Sequence, residues 1–209
     1  MPEEVRIEKP SAELYEGKRK LYCVPLLYVE KDAQRDYLEK VERYWNEVEE
    51  HVNKLGKTGK VNKIYHEAIH VAGDEGMKVI EKVNEKSYKL VKSYCEKGAE
   101  LQSLEDRELF YEFMDWKRCL IIPFNSGKVL NKVLEFYTEA SKRRHEHIAK
   151  RIDETLGKGE VGMLIMSEED RNEILFPQDI EIFLVHPPAL ADIQQWIREQ
   201  LRGREERES

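Results

Sequence analysis

Tyr65–Gly76 reads YHEAIHVAGDEG, and whether this stretch forms helix or strand decides both the architecture and the chemistry. Read as a helix from Val61, it gives Val61, Ile64, Tyr65, Ala68 and Ala72 one apolar face. His66-Glu67-Ala68-Ile69-His70 then becomes an H-E-x-x-H motif, with two imidazoles one turn apart for zinc and a glutamate to polarise the attacking water. Val71-Ala72-Gly73 extends the match to H-E-x-x-H-x-x-G, but the third ligand of the longer pattern falls on Gly76. Read as a strand over 61–72, Ile64, His66, Ala68 and His70 point to one side, and Tyr65, Glu67, Ile69 and Val71 to the other. His66 and Glu67 then diverge and the zinc-protease geometry is lost. The flanks favour the strand: a helix precedes, and Gly73-Asp74-Glu75-Gly76 follows as a turn with acids placed to start another helix.

Working outward, Ala33–Leu55 carries Tyr37, Leu38, Val41, Tyr44, Trp45, Val48, Val52 and Leu55 at steps of three and four, which predicts an amphipathic helix ending at Gly56. The loop GKTGK after it is not a phosphate loop, because the pattern ending at Gly56-Lys57-Thr58 needs glycine where His51 stands. A second long helix is expected over Glu75–Lys97, closed by Gly98. Upstream, Leu21–Glu30 (LYCVPLLYVE) is a near-continuous apolar run, as in a strand covered on both faces. Pro25 inside it favours an edge or a bulge. Downstream come a short strand at Ala99–Leu104, a helix from Glu105-Asp106 through Leu120, with Arg118–Phe124 open between helix and a further strand, and a long helix over Ser126–Leu156. Strands at Glu160–Met166 and Asp179–Val185 and a helix over Ala189–Leu201 complete the chain. His51, His145 and His147 read as packing or surface residues.

This alternation predicts a layered α/β fold with a mostly parallel central sheet of about five strands flanked by long helices. Residues 1–18 read as an arm, 19–202 as a single α/β domain and 203–209 as a disordered tail. Ligands in such folds bind at the carboxyl ends of the strands. Those ends offer Glu30 and Asp32, then His70, Asp74 and Glu75, then Glu105 and Asp106, then Glu168, Glu169 and Asp170, then His186. Such a rim suits a divalent metal, zinc if both His66 and His70 take part and manganese or magnesium if oxygen donors dominate. The structural alternative is that acids following strands serve as helix caps and dipole partners.

Composition narrows the classes. The chain of 209 residues is 40% hydrophobic and 37% charged, which describes a folding sequence with a heavily charged surface. Lys and Glu dominate those charges, a thermophile-like composition. A formal charge of -7 disfavours nucleic acid and anionic membranes as partners. Cys23, Cys95 and Cys119 are odd in number and set in apolar runs, as expected of thiols in a reducing cytoplasm. No apolar run reaches the ~20 residues needed to cross a bilayer.

The segment from Arg143, RRHEHIAKRIDETLGKGEVGMLIM, resembles the late part of the TraB and Tiki group of proteins, where a charged pair and a helix lead into a strand. The IYHE at Ile64–Glu67 and the LED at Leu104–Asp106 are similar to that group's acid-bearing strand ends. The resemblance implies a metal-dependent hydrolase, with Glu67 and Glu105 carried over as catalytic residues. The group's G-x-x-H is absent from VPLLYVEKD, and SEEDR stands where a histidine is expected. The expectation is therefore a cytoplasmic metal-dependent hydrolase with His66, His70 and Asp106 as metal ligands. The alternative is a non-catalytic interaction or scaffold protein that pairs with itself or with a protein partner.

Overall fold

The computed structural model describes residues 17–29 and 32–208. Most of the arm and Glu30 lie outside that range. The elements are β1 (Arg19–Pro25), α1 (Arg35–Leu55), β2 (Val61–His66), α2 (Gly73–Val83), α3 (Glu85–Glu96), β3 (Glu100–Leu101), α4 (Arg107–Cys119), α5 (Gly127–Thr155), β4 (Val161–Met166), α6 (Glu168–Asn172), β5 (Ile180–Leu184) and α7 (Pro188–Glu208). Among the described residues the strands form one five-stranded sheet in the order β3-β2-β4-β1-β5, and every pair is parallel. The expected layered α/β fold is the one observed.

Strand alternation divides the core into two layers. Tyr22, Val24, Ile64, Met163 and Ile165 face one side, where Val41, Tyr44, Val48 and Val52 of α1, Val91 of α3 and Ile193 of α7 cover them. Leu21, Cys23, Tyr65, Leu164 and Met166 face the other, under Ile148 and Ile152 of α5. Each such fully buried aliphatic side chain contributes roughly 1.5–3 kcal/mol, so both faces demand a helical cover. Gly162 lets the two central strands close over this second layer. A Cβ there would lie 2.9 Å from Leu21 Cδ1 and 3.0 Å from Tyr65 Cε2. Pro25 is tolerated inside the sheet because it is the last residue of β1. Pairing with β5 has already ended at Cys23, and the Pro25 carbonyl accepts from the Tyr44 hydroxyl.

Several boundaries differ from the sequence expectation. β2 stops at His66 instead of running to Ala72, because Ala68 takes a left-handed backbone (φ 67°) that no strand continues through. The helix expected over 75–97 is broken at Asn84, whose backbone is extended (φ -155°, ψ 95°). Its side chain accepts from Ser87 N at 2.9 Å and donates to the Leu27 carbonyl at 2.8 Å. That one residue starts α3 and pins the loop after β1. SEEDR forms the short helix α6, and α7 continues through Glu208 where a disordered tail was expected. Residues 120–126 separate α4 from α5 with no strand. No helix among the described residues is long and apolar enough to cross a membrane.

Candidate functional site

The alternation that builds the two core layers also separates the HEAIH residues. His66 turns toward α3, fully buried, with Nδ1 2.7 Å from the Glu67 carbonyl and Nε2 2.9 Å from Ser87 Oγ. Burial lowers its pKa to about 4, partly offset by the Glu67 carbonyl. A neutral ring therefore donates through Nδ1 and accepts from Ser87. His70 sits half-buried in the loop before α2. Asp106 caps α4, its Oδ1 accepting from Glu108 N at 2.9 Å and Leu109 N at 3.0 Å. The structure thus does not bring His66, His70 and Asp106 together as metal ligands: one is turned into the α3 layer, one stands in a loop and one is occupied as a helix cap.

Glu67 and Glu105 are brought together. Strand alternation sends Glu67 to the α5 side, the left-handed turn at Ala68 follows it, and the Ile69 carbonyl accepts from Leu104 N at 2.8 Å and Glu105 N at 3.0 Å. These bonds lock the ends of β2 and β3 in register. Into the space between them comes Arg144, from the middle of α5, with no exposed surface. Its Nη2 donates to Glu105 Oε1 at 2.6 Å and to Glu67 Oε1 at 3.1 Å, and its Nη1 donates to Asp170 Oδ2 at 2.9 Å. Nε completes a fork on Glu105, 3.1 Å from Oε2. The guanidinium lies over the rings of Phe113 (4.4 Å to the centroid) and Phe110 (5.4 Å), which close the far side. Planar, multidentate recognition of carboxylates is what arginine supplies and lysine does not.

One cation facing three carboxylates leaves the cluster short of positive charge. Burial raises the Glu67 pKa above the ordinary carboxyl range, against the pull of Arg144 and of Ser167 N, which donates to Oε2 at 2.9 Å. For Asp170 burial also acts upward, but the adjacent His145 imidazole and the charge and hydrogen bond of Arg144 outweigh it. Its carboxyl is held below the ordinary range. The two carboxyls are thus pushed in opposite directions within one network, the pattern that separates an acid from a base. Tyr28 Oη lies 3.5 Å from the remaining oxygen of Glu67.

The cluster opens on a cleft of about 840 Å³ between α5 and the α6 segment. His145 and Asp170 belong to its wall; Glu67 and Glu105 stand behind them. His145 is 6% exposed, and its Nε2 faces Asp170 Oδ1 at 3.6 Å, too long for a hydrogen bond, with no other partner. Ser141, one turn earlier on α5, lines the same wall. Comparison with protein-family models, with curated proteins and with solved structures returned no match. The site stands on its own geometry.

That geometry does not fit the expected metal. The oxygens of Glu67, Glu105 and Asp170 that point to the common centre are bonded to a guanidinium, which already fills the position of a cation. Among the described residues no group of three or more His, Cys, Asp or Glu side chains is arranged to hold a metal ion. Of the other rim residues, Glu168 pairs with His186 at 2.9 Å, and Asp74 and Glu75 are exposed in the first turn of α2. Arg144 was missed from sequence because it occupies an inward position of an amphipathic helix, where a charge breaks the stripe. That break, R144 amid Ala140, Ile148 and Ile152, was itself the available signal.

Proposed function

We propose that this chain is a hydrolase whose working pair is His145 and Asp170 at the carboxyl rim of the sheet. The observation that carries the reading is a buried imidazole on the wall of a cleft, facing at 3.6 Å a carboxylate that Arg144 holds in its ionised form. A carboxylate in that place keeps the Nε2 proton toward itself and leaves Nδ1 as the base. The imidazole takes a proton from an attacking water and returns it to the leaving group. Asp170 stabilises the imidazolium in between, and Arg144 keeps Asp170 ionised. Glu67, whose carboxyl is pushed upward by burial, stands behind the pair and accepts from Ser167 N at 2.9 Å. The resemblance to the TraB and Tiki group supports hydrolysis and strand-end acids, but no step here runs through a metal. Three unpaired thiols accord with a cytoplasmic location.

A panel of p-nitrophenyl esters, phosphate esters and peptide anilides tests the reading. Turnover of one class, falling by roughly 10²–10⁴ in His145→Gln and in Asp170→Asn with the far-UV spectrum intact, is expected. Turnover indifferent to both substitutions, or none in any class, overturns it.

A second reading is carried by a different observation. The α4–α5 hairpin exposes Ile121 (81%) and Ile122 (59%) at its tip, with Leu130 and Leu134 exposed along α5. Exposed apolar side chains gathered on one hairpin are the kind of surface that association covers, and a two-helix hairpin closes most simply against a second copy of itself. Light scattering of the parent and of Ile121→Asp/Leu134→Asp distinguishes the outcomes: a dimer lost in the variant supports pairing, and a monomeric parent removes it.

A further inference from the structure

The α4–α5 hairpin carries charge of the opposite sign to the chain as a whole. From Trp116 to Leu134 the sequence has four cations, Lys117, Arg118, Lys128 and Lys132, and no acid, in a chain whose formal charge is -7. Between Arg118 and Lys128, the segment CLIIPFNSG has no charged residue, although 37% of the chain is charged. Its isoleucines do not fold inward: Ile121 is 81% exposed and Ile122 59%, with Val129, Leu130 and Leu134 exposed behind them. Every residue from Ile121 to Lys132 except Phe124 is exposed, so this end of the hairpin stands clear of the body. α5 meets the sheet at Ile148 and the carboxylate network at Arg144, and at 1.5 Å per residue Gly127 lies roughly 25 Å along the helix from Arg144. Rings hold the two helices together on the way, Phe113 on Tyr137 and Trp116 on Phe136, with centroids 5.6 and 4.8 Å apart. Of the cations, Arg118 pairs with Asp115 and Lys132 with Glu135 on the surface, whereas Lys117 and Lys128 have no ion-pair partner among the described residues.

We infer that the hairpin tip docks on an anionic lipid surface, with Ile121 and Ile122 entering the acyl boundary and the four cations meeting the headgroups around them. Apolar side chains ringed by Lys and Arg, with a tryptophan beside the ring, are the composition that settles at such an interface. An exposed ion pair is worth little in water, so Arg118 and Lys132 exchange their acids for lipid phosphate at small cost. The charge of -7 that disfavours anionic membranes for the whole chain does not oppose this contact. At ~0.1 M salt charges are screened over about 10 Å, and the body lies farther back than that along α5. Closing the same face on a second copy, the pairing considered above, sets the cations of both copies against one another, whereas a lipid surface neutralises them. The contact is peripheral, with no segment spanning the bilayer, and it requires no turnover at His145.

Co-sedimentation of the full chain with vesicles tests it, using phosphatidylcholine alone and an equal mixture of phosphatidylcholine and phosphatidylglycerol, each at low and high salt. Binding to the mixed vesicles, reduced by salt and absent on phosphatidylcholine alone, is expected. Each basic residue near an anionic surface strengthens binding about fivefold, so Lys117→Gln/Lys128→Gln should weaken it by about tenfold or more. Ile121→Ser/Ile122→Ser should weaken it as well, at unchanged charge. Lys57→Gln/Lys60→Gln, the same loss of charge in the loop after α1, should leave it unaltered. Circular dichroism checks that each variant is folded, as expected of substitutions at the surface. A parent that ignores the mixed vesicles overturns the proposal. So does equal weakening in the Lys57→Gln/Lys60→Gln control, which reduces the effect to bulk charge, or full binding by Ile121→Ser/Ile122→Ser. A dimer in solution that the isoleucine variant abolishes, with no vesicle binding by the parent, gives the face to a second copy instead.

Discussion

Replacing Arg144 by methionine keeps most of the contact with Phe113 and Phe110 and removes the charge. What remains is Glu67, Glu105 and Asp170, each no more than 6% exposed, without a cation. Removing one partner of a buried ion pair costs about 3–5 kcal/mol. Protonation caps that cost, because a stranded carboxylate can take a proton instead. From ordinary carboxyl values of 4.5 and 3.8, protonation costs about 3–4 kcal/mol at pH 7 and about 1 kcal/mol at pH 5 for each group that protonates. The variant therefore loses about 4 kcal/mol or more at pH 7, a large share of the ~5–15 kcal/mol of a domain. The loss shrinks toward pH 5. The sign follows from linkage: stranded carboxyls have folded pKa values raised above the unfolded ones, so the stability they contribute is present at low pH and lost as pH rises through the raised values. In the parent, Asp170 is shifted the other way; its contribution is present above the ordinary aspartate value and is lost only as pH falls through the depressed one. Urea denaturation followed by circular dichroism at pH 5 and pH 7 measures both numbers. A loss below about 1 kcal/mol at pH 7, or the same loss at both pH values, would refute the account of Arg144 as the neutraliser of this cluster. Arg144→Lys should recover only part, since an ammonium cannot reach three carboxylates in one plane.

Three further outcomes are expected. His66, with a folded pKa lowered to about 4 from 6.5, contributes stability that is full above the unfolded value and lost as pH falls from 6.5 toward 4. That is about 3 kcal/mol, and His66→Gln flattens this part of the stability-against-pH curve measured by urea denaturation. Gly162→Ala drives a Cβ to within 3.0 Å of Leu21 and Tyr65 and should cost about 1–3 kcal/mol in a thermal melt, with no change in the α1 layer. Asn84→Ala removes the cap of α3 and the donor to the Leu27 carbonyl. It should cost about 1 kcal/mol and speed hydrogen exchange in residues 26–29, where an unchanged exchange rate would show that the loop is held by other contacts.

The large periodic elements were legible because burial on both sheet faces writes itself into the chain as apolar runs and stripes. LYCVPLLYVE, EVGMLIM and DIEIFLV each contribute a strand of the parallel sheet, although the first strand ends at Pro25 and the last, at the edge, leaves Ile182 and Leu184 exposed. Turns decided by single side chains were not legible. Nothing in the propensities of Ala68 announces a left-handed backbone, and a helix stripe running through Asn84 looks unbroken until the amide reaches across to Leu27. The site was legible by halves. Glu67 and Glu105 stood out as acids at strand ends, a matter of order along the chain. Their partner lies 77 residues beyond Glu67 on a helix, and sequence order does not reveal which helix face a strand end will meet. His145 was read as packing, and by burial alone that is what it is. Only the contact with Asp170 and the cleft beside it give the ring a chemical setting.

The H-E-x-x-H pattern fails here for the reason that makes the sheet work. A strand ending at His66 must send 66 and 67 to opposite layers, and each layer then uses its residue differently: α3 takes the imidazole as a neutral stitch to Ser87, and α5 takes the carboxyl as one corner of the Arg144 network. A helix through the same residues would have joined them, but it would have removed the strand on which β3 and β4 pair. Conversely, the charge that a metal would have brought to this rim comes from a side chain anchored on two phenylalanines. A resident guanidinium cannot exchange or activate a water, so any chemistry must pass to the neighbours it holds in place. Those neighbours are Asp170, fixed and ionised, and through it His145, which alone of the cluster shares the cleft wall with Asp170. The Arg144→Met variant should therefore lose hydrolysis even under conditions where it remains folded, because Asp170 loses the guanidinium that holds it in place.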